Sequence, residues 1–224
     1  MFPLKRICCK LLDLASALAA VPYRAYLLVC RAVDLSLSAR LSIWHAGNVA
    51  FGRNVIIERA CLLHAPGKSK IALGDGVTIM HGSQLITHNG SITIGRGTAV
   101  NRFSILYGQG GLTIGSNCLI GAMCVFVPAN HRFDDPRIPI RQQGETRQGI
   151  VIGDNCWLGT RVTVLDGVTI GDNCVIGAGA VVTRSIAADS IAVGVPARVV
   201  RSRVAVVPKP IPPHLPTSVS LSAR

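Results

Sequence analysis

Between Ile152 and Val182 an aliphatic residue returns at every sixth position: Ile152, Leu158, Val164, Ile170, Ile176 and Val182. Glycine follows four of them directly, at 153, 159, 171 and 177. Four residues after each aliphatic comes a small or β-branched side chain, as at Cys156, Val162, Val168, Cys174 and Ala180. A period of six matches neither the 3.6 of an amphipathic helix nor the 2 of a half-buried strand. It suits a chain folded into short flat faces with a corner every six residues. Three faces close a triangular coil of about eighteen residues, and stacked coils pair backbone with backbone along a prism. The branched residue points to the axis. The glycines are expected to turn the corners with unusual φ values.

The same register recurs earlier, at Ile114, Ile120 and Phe126, at Ile94, Val100 and Leu106, at Leu73, Ile79 and Leu85, and more faintly at Phe51, Ile57 and Leu63. About six coils are therefore expected from 51 to 187. Composition agrees: 49% of residues are hydrophobic but only 4% aromatic, which suits a narrow core of small branched side chains. The cysteines contain no Cys-x-x-Cys pair, so zinc-ribbon and thioredoxin readings fail. Cys118, Cys124, Cys156 and Cys174 follow the repeat and read as core fillers in a reduced compartment.

The formal net charge is +12. Residues 1–50 carry six basic and two acidic side chains, and 198–224 carry five basic and none acidic. The excess is terminal and lacks interleaved aromatics, which argues against nucleic acid and for a membrane surface or a phosphorylated small molecule. Residues 4–35 read as helix, with Ile7, Leu11, Leu14, Leu18 and Val21 on one face. Asp13, Arg24 and Arg31 interrupt it, so it reads as a cap on the prism or as an interfacial segment and not as a membrane span. After Arg203 the tail holds five prolines within 208–216 and should be extended and partly disordered. The expected divisions are a helical segment at 1–48, the repeat domain at 49–203 and the tail at 204–224.

The repeat breaks once on a large scale. His131 closes the coil begun at Ile114, the count resumes at Ile152, and 132–151 becomes an excursion thrown from one corner. Long loops in compact repeats are uncommon and often functional. Imidazole titrates near neutral pH, so a histidine at the start of such a loop is a candidate general base.

The stretches "NHRFDDPRIPI", "IGDNCWLGTRVTVLDGVTIG", "IGAGAVVTR" and "VGVPARVVR" resemble the hexapeptide-repeat acyltransferases, above all maltose and galactoside O-acetyltransferases and their polysaccharide-modifying relatives. The likeness covers roughly 73–201. It implies an all-β fold, a left-handed parallel β-helix, assembled as a homotrimer with sites between subunits. It implies acetyl-CoA as co-substrate, no metal, and a saccharide hydroxyl as acceptor, in surface polysaccharide or lipopolysaccharide assembly. His131 matches the family's base and Glu145 the carboxylate that orients it; Asp134 and Asp135 are rivals close in sequence. Asn101 matches an acceptor contact. Gln109 falls where the sugar acetyltransferases carry an acidic acceptor contact, which leaves the sugar open. Thr160 matches the residue whose N–H meets the thioester, and Ala178 lines the pantetheine path. Thr183, Arg184, Arg198 and Arg201 match the adenine and phosphate end, and Trp157, read at a corner, walls the groove. Such an enzyme belongs in the cytoplasm, free or peripheral on the inner face of the membrane.

Three other readings stay open. An amino-sugar N-acetyltransferase would use the same site. A γ-type carbonic anhydrase would need histidines such as His64, His81, His88 and His131 to share zinc between subunits. A non-catalytic β-helical scaffold would bind no CoA.

Overall fold

The computed structural model describes residues 48–204 in full, together with backbone pairing at Asp34–Leu35 and Arg40–Leu41. It is a parallel β-solenoid of six complete three-sided coils. Coil 1 is made of Val49–Phe51, Ile56–Ile57 and Leu62–His64, and coil 6 of Thr169–Ile170, Val175–Ile176 and Val181–Val182. Strands of equal rank stack into three sheets. Sheet A collects the strands that follow the first corner, sheet B the second, and sheet C the strands that open each coil. The aliphatic residue of each hexapeptide points inward: Ile57, Ile79, Val100, Ile120, Leu158 and Ile176 form one unbroken buried column on sheet A.

Pairing begins before the expected boundary at 49. Asp34–Leu35 lies parallel to Ile56–Ile57, and Arg40–Leu41 to Leu62–Leu63. The last two residues of the helix expected over 4–35 are therefore extended, because the first coil offers an open sheet edge to pair with. The rest of that helix, the amphipathic face included, and the tail beyond Val204 lie outside the described residues. Among the described residues no helix is long and apolar enough to cross a membrane.

The glycines have a different task from the one expected. Gly52, Gly74, Gly95, Gly115, Gly153 and Gly171 do not have positive φ. Each faces the backbone of the next coil: a Cβ on Gly74 would lie 2.7 Å from the Arg96 nitrogen. Stacking at sheet spacing leaves no room for a side chain there. The left-handed turn falls two residues later, where Asn54, Asn117, Asn155 and Asn173 adopt φ of 54–58°.

The small residue before the next inward position does more than fill space. Cys61 Sγ donates to the Met80 carbonyl at 3.1 Å, and Ser83 Oγ to Asn101 O at 2.9 Å. Ser104 Oγ donates to Gly121 O at 3.1 Å and Cys124 Sγ to Gly159 O at 3.2 Å. Each ties a corner to the coil above it, so the column wants a small side chain that can also donate. Cys118, Cys156 and Cys174 do the same at the corner between sheets C and A. Burial pushes the Cys124 thiol from 9.0 up to about 11. Stability from the neutral buried thiol is complete below pH 9, where the unfolded thiol is also protonated. It is lost as pH rises from 9 to 11, by about 2–3 kcal/mol. Cys124→Val, which copies Val162 one coil on, should therefore flatten the fall of the unfolding midpoint across that interval, measured by urea denaturation at each pH.

Register reveals where the chain departs from eighteen residues per coil. Ile57 pairs with Ile79, twenty-two residues on; Ile79 with Val100, twenty-one on; Val100 with Ile120, twenty on; Ile120 with Leu158, thirty-eight on; Leu158 with Ile176, eighteen on. Within each coil the steps between inward residues on sheets C, A and B stay at six. All extra residues therefore leave at one corner, between sheets B and C. The large excursion is the longest member of a lengthened edge.

Candidate active site

The excursion is a structured loop. Asn130–His131 and Glu145–Thr146 form an antiparallel pair at its neck, with His131 directly opposite Glu145. His131 Nδ1 lies 3.8 Å from Glu145 Oε1, somewhat beyond hydrogen-bond length, and both side chains are solvated, at 62% and 31% exposure. The other oxygen, Glu145 Oε2, accepts from Arg147 Nη2 at 3.1 Å and Nε at 3.2 Å. The rivals are placed differently. Asp135 takes a bidentate pair from Arg137 at 2.9 and 2.8 Å, and that guanidinium holds its carboxyl below the usual range. Asp134 is exposed, and among the described residues the ion pair of His131 is with Glu145.

Two loop anchors escaped the sequence reading. Asp166 Oδ2 accepts from Thr146 Oγ1 at 2.9 Å, and its Oδ1 accepts the N–H groups of Gln148 and Gly149, each at 2.9 Å. It thereby fixes the returning limb that carries Glu145. Gln143 accepts the Asp135 N–H at 3.1 Å and donates to the carbonyls of Asp135 and Ile138 at 2.8 and 2.7 Å. An Asp-Gly pair such as 166–167 is a turn signal, but nothing local marks it as an anchor for a strand twenty residues earlier.

The remaining candidates divide between two edges of the prism. Gln109 shares the B–C edge with His131, one coil earlier, and its Oε1 is buried with no hydrogen-bond partner. Thr183 and Arg184 stand on that same edge two coils above the loop. Asn101, Thr160 and Ala178 stand instead at the corner between sheets A and B, on coils 3, 5 and 6. Asn101 Oδ1 accepts the Arg102 N–H at 2.7 Å, while the Thr160 N–H donates to no acceptor among the described residues. Arg198 begins the final strand, Arg198–Ser202, which turns back along sheet A from the A–B edge; Arg201 lies farther along it, paired with Ile191. Trp157 is not at a corner. It is in Trp157–Leu158 on the outer face of sheet A, 54% exposed, between Leu119 and Val175. One chain thus keeps Asn101 and Thr160 apart from His131. The four histidines weighed for zinc are also spread, His64 on sheet B, His81 at the A–B corner, His88 and His131 at the B–C corner, and no three metal-binding side chains gather among the described residues.

A parallel β-solenoid with a histidine–carboxylate pair on an elongated corner defines a class of protein, and comparison specifies it. Residues 149–184 match the bacterial transferase hexapeptide (six repeats), and 111–129 match the hexapeptide repeat of succinyl-transferase. The chain is 31% identical over 160 residues to an Escherichia coli protein assigned as the lipopolysaccharide biosynthesis O-acetyl transferase WbbJ, covering 67% of this chain and 81% of that one. It is 35% identical over 150 residues to a Mycobacterium tuberculosis chain assigned as an acetyltransferase, covering 66% of this chain and 50% of that one. A hexapeptide-repeat acetyltransferase of Vibrio cholerae, solved with acetyl coenzyme A, matches at a TM-score of 0.53 and 31% identity, over 58% of this chain and 69% of that one. The chain belongs to the hexapeptide-repeat acyltransferase family. It spans only about half the length of some of its curated relatives.

Proposed function

We propose that the protein is an acetyl-CoA-dependent O-acetyltransferase acting on a saccharide hydroxyl, with its sites shared between the subunits of a homotrimer of left-handed coils. The observation that carries this reading is the division of the candidate residues between the two edges of sheet B. Gln109, His131, Glu145, Thr183 and Arg184 ascend one edge, and Asn101, Thr160, Ala178 and Arg198 ascend the other. The outer face between those edges is mostly apolar: Leu62, Ile86, Ile105, Tyr107, Val125, Val127 and Leu165 are half-buried on it, and His64, Gln84 and Thr163 are its polar members. Sheet C shows Lys70, Ser91, Thr93, Thr113 and Thr169 outward beside Val151, and sheet A, though apolar at Ile56, Leu119 and Trp157, does not join the two edges that carry the candidates. Three such prisms turning sheet B toward a common axis bury the apolar faces and bring the A–B edge of each copy against the B–C edge of the next. Each contact line then holds a complete set.

In that groove the acceptor hydroxyl attacks the thioester carbonyl while His131 takes its proton, and Glu145 steadies the imidazolium. The free Thr160 N–H is a donor for the developing oxyanion. As the carbon–sulfur bond breaks, the proton on His131 passes to the departing thiolate of coenzyme A. The buried, unpartnered Gln109 Oε1 is an acceptor for a sugar hydroxyl. The likeness to WbbJ supports a glycan of surface-polysaccharide assembly as the acceptor. Thiol release from acetyl-CoA, measured against a panel of sugars, amino sugars and nucleotide sugars, tests the reading; release with none of them above hydrolysis would overturn it.

The phosphate end gives a separate prediction. Arg198 and Arg201 are both exposed on the final strand. Arg198→Ala with Arg201→Ala should weaken acetyl-CoA binding by about 1.5–3 kcal/mol per lost charge-assisted contact, with the unfolding midpoint unchanged. Calorimetric titration showing wild-type affinity would place the phosphates elsewhere.

A further inference from the structure

The left-handed turn positions differ between corners. At the corner between sheets C and A they are residues that tolerate positive φ: Asn54, Gly76, Gly97, Asn117, Asn155 and Asn173. At the A–B corner the same position holds Phe103 at φ 58°, Met123 at φ 59° and Arg161 at φ 61° on successive coils. A bulky side chain in this region is strained, and such strain persists where something else requires the residue. Phe103 is also 52% exposed and Met123 43% exposed. The Phe103 ring is held in place: it covers Gly82, whose added Cβ would lie 2.6 Å from the ring, and it meets the His81 ring edge-on with centroids 5.3 Å apart. A rigid apolar knob is thus built on the A–B edge against local preference.

The excursion carries a cup. Phe133, Pro136, Ile138, Pro139 and Ile140 line an open concavity of about 510 Å³, with the Asp135–Arg137 pair and Gln143 as its polar members, and Phe133, Ile138 and Ile140 are 72%, 43% and 54% exposed. The loop leaves the B–C edge after coil 4, level with Met123 and one coil above Phe103. The knob and the neck of the loop that carries the cup therefore lie on opposite edges of the sheet B face, within one coil of each other in height.

We infer that Phe103 and Met123 of one copy seat in the Phe133–Ile140 cup of the next, so that the loop bearing His131 is clamped in trans. This rests on the trimeric reading above. It gives Phe103 and Met123 a reason to occupy this turn, while Ala60 on coil 1 and Arg161 on coil 5 share the conformation outside the clamp. The clamp fixes the neck of the loop over the groove and excludes water from it.

The test uses the full chain with Cys8, Cys9 and Cys30 replaced by serine. Phe103→Cys combined with Ile138→Cys, treated with a short bis-maleimide, should give covalent dimers and trimers on a denaturing gel, and neither single variant should. In parallel, Phe103→Asn suits the left-handed turn, so the chain should resist denaturant as well as wild type or better. Its trimer should nonetheless dissociate at a concentration raised about tenfold or more, read by sedimentation. Cross-links confined within one chain, or a Phe103→Asn trimer as tight as wild type, would overturn the clamp while leaving the trimer standing. A wild-type chain that sediments as a monomer would overturn the trimeric reading and the clamp with it.

Discussion

His131→Ala should lower turnover by about 10²–10⁴-fold, the range for a lost general base, and leave assembly and acetyl-CoA affinity near wild type. The side chain is 62% exposed and packs in no core, so its removal leaves no cavity. Its backbone pairing with Glu145 across the neck is retained by alanine. Glu145→Ala should cost less, because orienting an imidazole is a secondary role and because Asp166 still holds the returning limb through Gln148 and Gly149. Asp135→Ala should leave turnover nearly intact, since that carboxylate is engaged by Arg137. Steady-state rates with any acceptor that the wild type uses decide this. Near-normal turnover in His131→Ala would reduce the loop to a cover.

Ile105→Asp should abolish assembly, and activity should fall with it by at least about 100-fold. Ile105 points outward from the middle of sheet B, between Gln84 and Val125, so the charge does not enter the prism core. In a threefold arrangement the same substitution places three carboxylates on one buried surface, each costing several kcal/mol without a partner. The isolated coil should still unfold cooperatively. Light scattering separates the outcomes: a trimer that survives Ile105→Asp would show that sheet B is not the contact face.

The coil itself was legible because its constraint is local. An inward aliphatic every six residues is all that a three-sided prism asks of its core, and Ile152 through Val182 state it without a slip. The glycine positions were legible but their reason was not: Gly74 is small because Arg96 of the next coil presses on it, a contact between residues twenty-two apart. The cysteines read as fillers, while their donation to carbonyls such as Gly159 O appears only once coils are stacked. At the site, Glu145, the carboxylate that the family likeness suggested, is the residue opposite His131 across the neck, a pairing of strands fourteen residues and more apart in sequence that only the folded loop displays. Asp166 and Gln143 stayed hidden, because anchoring a loop leaves no periodic trace. The placement of Asn101 is the most consequential difference. It precedes His131 by thirty residues and stands at another corner, so a single copy cannot join the two.

That separation makes the shared site testable by complementation. Chains carrying His131→Ala and chains carrying Asn101→Ala, each assayed alone, should both be impaired. Unfolded together in equal amounts and refolded, they should form mixed trimers in which one contact line joins an intact His131 edge to an intact Asn101 edge. Random assembly around a closed ring of three should then restore about a quarter of wild-type activity. Recovery near that level is the predicted result; activity no greater than the average of the two parents, with mixed trimers present by mass, would contradict a site built between copies.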